Sequence, residues 1–120
     1  MAFQLGIDNE KPSLIPMWIS ESMSVPDPPV VANGVVFSVS TGENPRQGGW
    51  AGNDRGDRAA FTGHASLRAF DALTGKQLYH SGSIVDDWTH FSGLAVSNGR
   101  VYFTTTHSRV YSFGLPNASR

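Results

Sequence analysis

The stretch AFDALTGKQLY, residues 69–79, predicts two short strands joined by a tight polar turn. Asp71 can accept hydrogen bonds from the backbone N–H groups that follow it, which closes such a turn. Gly75 can adopt the left-handed conformation that ends a bulged hairpin loop. Tyr79 then lies on the outer strand, where a flat aromatic ring can cover the seam to a neighbouring sheet. The stretch therefore predicts a hairpin together with the means of docking it.

Two further hairpins are predicted by Asn-Gly pairs between valine-rich arms. Asn33-Gly34 and Asn98-Gly99 each supply the two positive φ angles of a type I′ turn, which matches the twist of paired strands. The segments VANGVVF (31–37) and VSNGRVY (96–102) align residue by residue. They are therefore copies of one unit.

A third strand follows each copy, so the unit is a repeat of short strands. SLRAFD (66–71) matches RVYSFG (109–114), and the spacing from Phe70 to Phe113 is 43 residues. This period suits a four-stranded propeller blade. The Ala-Phe dipeptide of residues 69–70 also occurs at Ala2-Phe3, where it is interpreted as the end of the third strand of an earlier unit. Residues 14–20 around Trp18 are then predicted to be the outer strand of that unit.

The repeat divides the chain into three parts. Residues 1–23 are the end of one unit, 24–82 are a full unit, and 83–120 are a unit without its outer strand. A polar, glycine-rich loop is predicted as an insertion into the full unit at 43–64, and the second strand of the last unit is predicted to run over 100–106. No stretch shows helical periodicity, so the predicted fold class is all-β.

The motif of residues 69–79 resembles the tryptophan-docking motif of the PQQ-like β-propeller repeat, the quinoprotein alcohol dehydrogenase-like superfamily. The matching positions are Ala69, Asp71, Thr74 and Gly75, while Tyr79 stands where that family has Trp. The first unit keeps Trp18 but lacks the Asp and the Thr-Gly pair. The resemblance covers nearly all of the chain except 43–64.

This resemblance implies about two four-stranded antiparallel blades of an eight-bladed ring. Members of the family include quinone-dependent dehydrogenases, a propeller subunit of the bacterial outer-membrane assembly machinery, and proteins that bind no quinone. It also suggests a bacterial source and a periplasmic or secreted location, although the first residues lack the pattern of a signal peptide.

The composition of the chain limits the classes of partner that it can bind. The formal net charge of −1 leaves no basic excess for a nucleic acid backbone, and no apolar run is long enough to cross a bilayer. Zero cysteines exclude disulfides, thiolate metal sites and cysteine nucleophiles. We expect the partners to be the remaining blades or further copies of this chain, with residues 14–20 completing the last unit within a ring or across a chain boundary.

In an up-and-down blade, the connections at 22–28, 43–64 and 82–93 emerge on one face, which we call the loop rim. Long irregular loops often carry function. The candidate binding residues on the loop rim are Trp50, Asp54, Arg55, Asp57, Arg58, His64, Asp86, Asp87, Trp88 and His90. Asp86, Asp87 and His90 have metal-ligating side chains, but such residues are common in turns, and we expect no metal site. His80 and His107 are interpreted as strand residues.

No hydrolase triad, phosphate loop or zinc-ligand spacing is present in the sequence. The sequence therefore favours a non-catalytic scaffold or binding module. A fragment of a quinone-dependent (PQQ) dehydrogenase is the alternative, in which PQQ and calcium belong only to a full-length parent, because family members hold them with residues from several blades. A free-standing β-sandwich adhesin is a third possibility, against which the unpaired strand edges argue.

Overall fold

The structure is a computed structural model that describes residues 1–45 and 60–115. This part of the chain forms three antiparallel sheets and no helix, so the all-β fold class is confirmed. The strands are β1 (Ala2–Asp8), β2 (Lys11–Trp18), β3 (Val30–Ala32), β4 (Val35–Ser40), β5 (Ser66–Asp71), β6 (Gln77–His80), β7 (Ala95–Ser97), β8 (Arg100–Thr104) and β9 (Val110–Gly114).

The second sheet has four strands in the order β3-β4-β5-β6, as the sequence predicts. Its first turn is formed by Asn33 and Gly34, with φ angles of 50° and 74°. Both values are positive, which a type I′ turn requires. Strand β4 ends at Ser40 and β5 begins only at Ser66, yet the two strands pair directly, with Val39 opposite Leu67.

The third sheet has three strands in the order β7-β8-β9, and its Asn98-Gly99 turn repeats that of the second sheet. Strand β8 ends at Thr104, two residues before the predicted end. The chain turns there because Thr105 N donates to Arg109 O and Ser108 N donates to Thr105 O. His107 lies in this turn, so the interpretation of His107 as a strand residue is wrong.

The first sheet differs most from the prediction. It is a long hairpin in which all of Ala2–Asp8 pairs with Lys11–Trp18, rather than a strand end beside residues 14–20. Asn9 and Glu10 form its turn with φ angles of 47° and 61°. The turn lacks the glycine that marks the other two, so this hairpin could not be predicted from a turn motif. Strand β2 lies in a different sheet from β7, β8 and β9, so among the described residues it does not complete the third sheet.

The β1–β2 hairpin and the β5–β6 hairpin share one register. Ala2 lies opposite Trp18 and Ala69 lies opposite Tyr79, and in both hairpins the register shifts directly after the alanine. A β-bulge at the same position in two hairpins is a conserved feature of a repeated unit rather than an accident of one strand. Ala2 and Ala69 therefore hold equivalent positions in their hairpins.

Trp18 docks the first sheet onto the second. Its Nε1 donates a hydrogen bond of 2.9 Å to Ala72 O, and its ring lies 6.0 Å from that of Phe70 between centroids. The ring also covers Gly75, where an added Cβ would lie 2.5 Å from Trp18 Cδ2. Tyr79 contacts the third sheet in a similar way, because its ring centroid lies 6.2 Å from that of Phe113.

The turn that receives Trp18 is closed by Asp71. Its Oδ1 accepts hydrogen bonds from Leu73 N at 3.0 Å, Thr74 N at 2.8 Å and Thr74 Oγ1 at 2.9 Å. The hydrogen bonds from Thr74 hold the pKa of Asp71 below its ordinary value. Gly75 follows in the left-handed region with φ 73°, as the turn requires.

The main core lies between the second and third sheets. Its buried members are Val39, Ala65, Leu67, Val85, Val101 and Phe103. Register explains its strand members, because Val39 opposes Leu67 in one sheet, and Val101 and Phe103 lie two residues apart on one face of the other. Ala65 and Val85 join the core from the connections between strands. Phe103 stacks on Phe113 with their ring centroids 5.9 Å apart, which fills the seam with aromatic surface.

Candidate functional site

The structure brings the described parts of the predicted loop rim together. Thr41, just after β4, is joined to the connection at 22–28: Thr41 N donates to Ser24 O at 3.0 Å and Thr41 Oγ1 donates to Val25 O at 2.7 Å. On the other side, Thr89 N donates to Thr41 O at 3.0 Å. One residue at the end of a buried strand thus fixes both neighbouring connections.

Glu43 and His90 link the second sheet to the connection that enters the third. His90 Nδ1 lies 2.8 Å from Glu43 Oε2, and the Glu43 side chain is only 2% exposed. A carboxylate at such depth is normally paired or hydrogen-bonded, because its desolvation is costly. His90 is therefore engaged in joining two loops, and Glu43 is a rim residue that the sequence analysis did not select.

Asp87 lies at the centre of a second link. Its side chain is 6% exposed, with Oδ1 2.9 Å from His107 Nδ1 and Oδ2 accepting a hydrogen bond of 3.0 Å from His107 N. Burial raises the pKa of Asp87, but the hydrogen bonds from His107 and from Trp88 N outweigh it and hold this pKa well below its ordinary value. Asp87 is thus an ionised carboxylate that fastens the β8–β9 turn.

Asp86 makes a third link at the surface. Its Oδ1 accepts hydrogen bonds from Arg109 Nη1 and, at 2.6 Å, from Tyr111 OH. These two donors lower the pKa of Asp86 to about 2. Arg109 and Tyr111 follow the β8–β9 turn in sequence, so Asp86 and Asp87 hold its two sides.

A cleft of about 500 Å³ opens between these links. It is lined by Thr62, Gly63, His64, Asp86, Asp87, Trp88, Thr106 and His107. Trp88 is half-buried, and its carbonyl oxygen accepts hydrogen bonds from Thr106 N and Thr106 Oγ1, both at 3.0 Å. The indole is therefore held by a backbone that is fixed to the neighbouring turn.

Four predicted rim residues meet at this cleft: His64, Asp86, Asp87 and Trp88. His90 is on the same rim, but it pairs with Glu43 instead. Trp50, Asp54, Arg55, Asp57 and Arg58 lie outside the described residues.

The geometry separates the three metal-ligating side chains that the sequence placed near one another. Asp86 bonds Arg109, Asp87 bonds His107, and His90 bonds Glu43. Within residues 1–45 and 60–115, no three His, Asp or Glu side chains converge closely enough to hold a metal ion.

Sequence reasoning missed His107, Arg109 and Glu43. The pairs that they form join residues 20, 23 and 47 positions apart. Local spacing does not predict such contacts, because they join segments that are distant along the chain and meet only in the folded structure. The predicted loop rim was the feature that could have identified these residues. It would have done so for His107 and Arg109 if it had included the turn between β8 and β9.

Comparison with protein-family models, with curated proteins and with solved structures found no match to this chain. Among the described residues there is no helix of the length and apolar character that crossing a membrane requires.

Proposed function

We propose that this chain is a segment of a PQQ-like β-propeller that acts as a non-catalytic scaffold or binding module. The proposal interprets each of the three sheets as a blade, in a ring of about eight. Its partners are the remaining blades or further copies of this chain, and a periplasmic or secreted location is part of the proposal through the family resemblance.

The observation that carries the proposal is the repeated docking step between sheets. In each step, an aromatic residue on the outer strand of one sheet covers a phenylalanine on the third strand of the next: Trp18 covers Phe70, and Tyr79 contacts Phe113. Both aromatic residues lie opposite an alanine that is followed by a β-bulge. A device that repeats from sheet to sheet is what a solenoid or propeller needs to bury its faces.

Binding is favoured over catalysis by the way in which the loop rim uses its charges. Asp86 forms an ion pair with Arg109, while Asp87 and Glu43 each contact the ring nitrogen of a histidine in another segment. A general base must instead reach a substrate proton, with a pKa near the working pH. The low pKa values of Asp86 and Asp87 are those of structural carboxylates. What the cleft presents to a ligand is Trp88, His64 and His107, which suit recognition.

The described residues do not fit PQQ or calcium. Calcium takes six to eight oxygen ligands. Among the described residues, Glu43 Oε1 is a buried carboxylate oxygen without a hydrogen-bond donor, but Glu43 belongs to no group of three or more His, Asp or Glu side chains that could hold a metal ion. The family often holds the quinone over vicinal cysteines, and this sequence has no Cys. The proposal therefore includes no cofactor in this chain, and PQQ with calcium belongs only to the alternative of a dehydrogenase fragment.

The experiment is a crystal structure of the longest natural form of the protein, grown with PQQ and calcium chloride and accompanied by a dye-reduction assay on simple alcohols. We expect the sheets to continue as blades around a ring, with no ordered quinone and no dye reduction. Two sheets folded face to face as a sandwich would refute the propeller. Ordered quinone together with dye reduction would replace the scaffold with the dehydrogenase.

A further inference from the structure

The β1–β2 hairpin exposes an apolar face. By register, Phe3, Leu5 and Ile7 share this face with Leu14 and with the two prolines Pro12 and Pro16. The exposed fractions are 46% for Phe3, 72% for Leu5, 80% for Ile7 and 63% for Leu14. An apolar patch of this kind on a two-stranded sheet marks an interaction surface, because such a hairpin is only marginally stable when it is bare.

The structure shows what covers the same face elsewhere in the chain. Phe70 is the counterpart of Phe3, since each follows the bulged alanine. Phe70 is 3% exposed because the preceding sheet lies on it through Trp18. Phe113 holds the same position in the third sheet and is covered by Tyr79. At both places, the occupant is the opposite face of another sheet.

The third sheet has that opposite face, and it is open. Ala95, Tyr102 and Val110 lie on the side of the sheet that points away from the core residues Val101 and Phe103. They line a shallow hollow of about 240 Å³ together with Leu94, and Val110 is 71% exposed. In the second sheet, the aligned positions of Tyr102 and Val110 are Phe37 and Leu67, which pack into the core between sheets.

Each chain therefore exposes two different surfaces, the β1–β2 face and the outer face of the third sheet, which correspond to the two surfaces that meet where the second sheet packs on the third. We propose that a second copy of this chain covers the β1–β2 face, seating on it the open face of its own third sheet around Tyr102 and Val110. The contact is head to tail, because the two faces are different surfaces of the same molecule. It repeats the step by which the second sheet lies on the third, and it does not depend on the identity of the family or on a ligand at the loop rim.

The test is the solution mass of the 120-residue chain by light scattering after size-exclusion chromatography. We expect an assembly of several 12.9 kDa copies. Leu5→Glu breaks one face and Val110→Glu breaks the other; the two side chains are 72% and 71% exposed, so neither variant should disturb the fold. Each variant alone should run as a monomer. Ile84→Glu, at a residue 61% exposed on neither face, should assemble as the wild type does.

Mixing the two monomeric variants gives the decisive result. The Leu5→Glu chain keeps its third-sheet face and the Val110→Glu chain keeps its hairpin face, so together they can form one contact and no more. We expect a heterodimer of twice 12.9 kDa. A monomeric wild type overturns the proposal, as does an assembly that Val110→Glu leaves intact, which would mean that two hairpin faces meet. Far-UV circular dichroism of each variant separates loss of the contact from loss of the fold.

Discussion

Replacing Gly75 by Ala tests whether Trp18 is the element that holds the first sheet on the second. Gly75 has φ 73°, a conformation that costs a residue with a Cβ about 1 kcal/mol. The new Cβ would also lie 2.5 Å from Trp18 Cδ2, so the indole has to move away. Displacing it sacrifices the hydrogen bond to Ala72 O, worth about 1 kcal/mol, and the ring contact with Phe70, worth about as much. We expect Gly75→Ala to lower the free energy of unfolding by about 3 kcal/mol.

Gly34→Ala is the matched control. Gly34 has φ 74°, yet nothing lies within 4 Å of the position that its Cβ would take. The substitution therefore costs only the backbone term of about 1 kcal/mol. The two glycines differ in their surroundings and hardly at all in conformation, so the difference between the variants measures the docking of Trp18.

A double-mutant cycle completes the measurement. In a Trp18→Ala background there is no indole to displace, and Gly75→Ala should then cost no more than Gly34→Ala, within about 0.5 kcal/mol. Unfolding in urea followed by far-UV circular dichroism gives these values without relying on the fluorescence of the residue that is removed. Equal losses from the two glycine variants in the wild-type background would refute the docking role of Trp18.

Three further predictions concern the loop rim and the core. The pKa of Asp87 in the folded chain lies below its unfolded value, so its contribution to stability is complete above the unfolded pKa and is lost as the pH falls from roughly 4 toward the folded pKa. Asp87→Asn should therefore reduce the decline of the urea midpoint over this pH range. An unchanged decline would contradict the role of Asp87 as an ionised structural carboxylate. Arg109→Ala should raise the pKa of Asp86 from about 2 toward 3.8 in a carboxyl-carbon NMR titration, whereas Arg68→Ala, which removes the partner of Glu21, should leave it alone. Leu67→Ala, at a side chain 1% exposed, should cost about 2–5 kcal/mol of unfolding free energy, against less than about 0.5 kcal/mol for Leu73→Ala at 77% exposure; similar losses at the two sites would contradict the position of the core.

The hairpins of the second and third sheets could be predicted because their information is local. Asn33-Gly34 and Asn98-Gly99 fix a turn by backbone conformation alone, and the alternating valines fix the strands on either side. The hydrogen bonds of Asp71 could be predicted for the same reason, since donor and acceptor lie within three residues. In these places the chain needs no distant contact to choose its conformation.

The first hairpin and the rim pairs could not be predicted so well. The turn at Asn9 and Glu10 forces a positive φ on Glu10, which has no special preference for it, so pairing of the whole strand has to hold the turn in place. Asp87 meets His107 across 20 residues because the segment that enters β7 runs beside the end of β8, where Thr106 N donates to Trp88 O. Such contacts are consequences of packing, and the spacing along the chain carries no trace of them.

The rim pairs and the docking aromatics have complementary tasks. Trp18 and Tyr79 hold neighbouring sheets through their faces, whereas Glu43 and Asp87 hold the connections at their ends. Because the Asp87 carboxylate is buried and ionised, removing His107 would leave a costly charge, so this contact fixes its turn firmly. Trp88 consequently presents its ring from a backbone that is tied on both sides, at Asp87 and at Thr106. A cleft that is preformed in this way can bind a ligand without the entropic cost of ordering its loops. We therefore expect function from the loop rim as a whole rather than from any single residue.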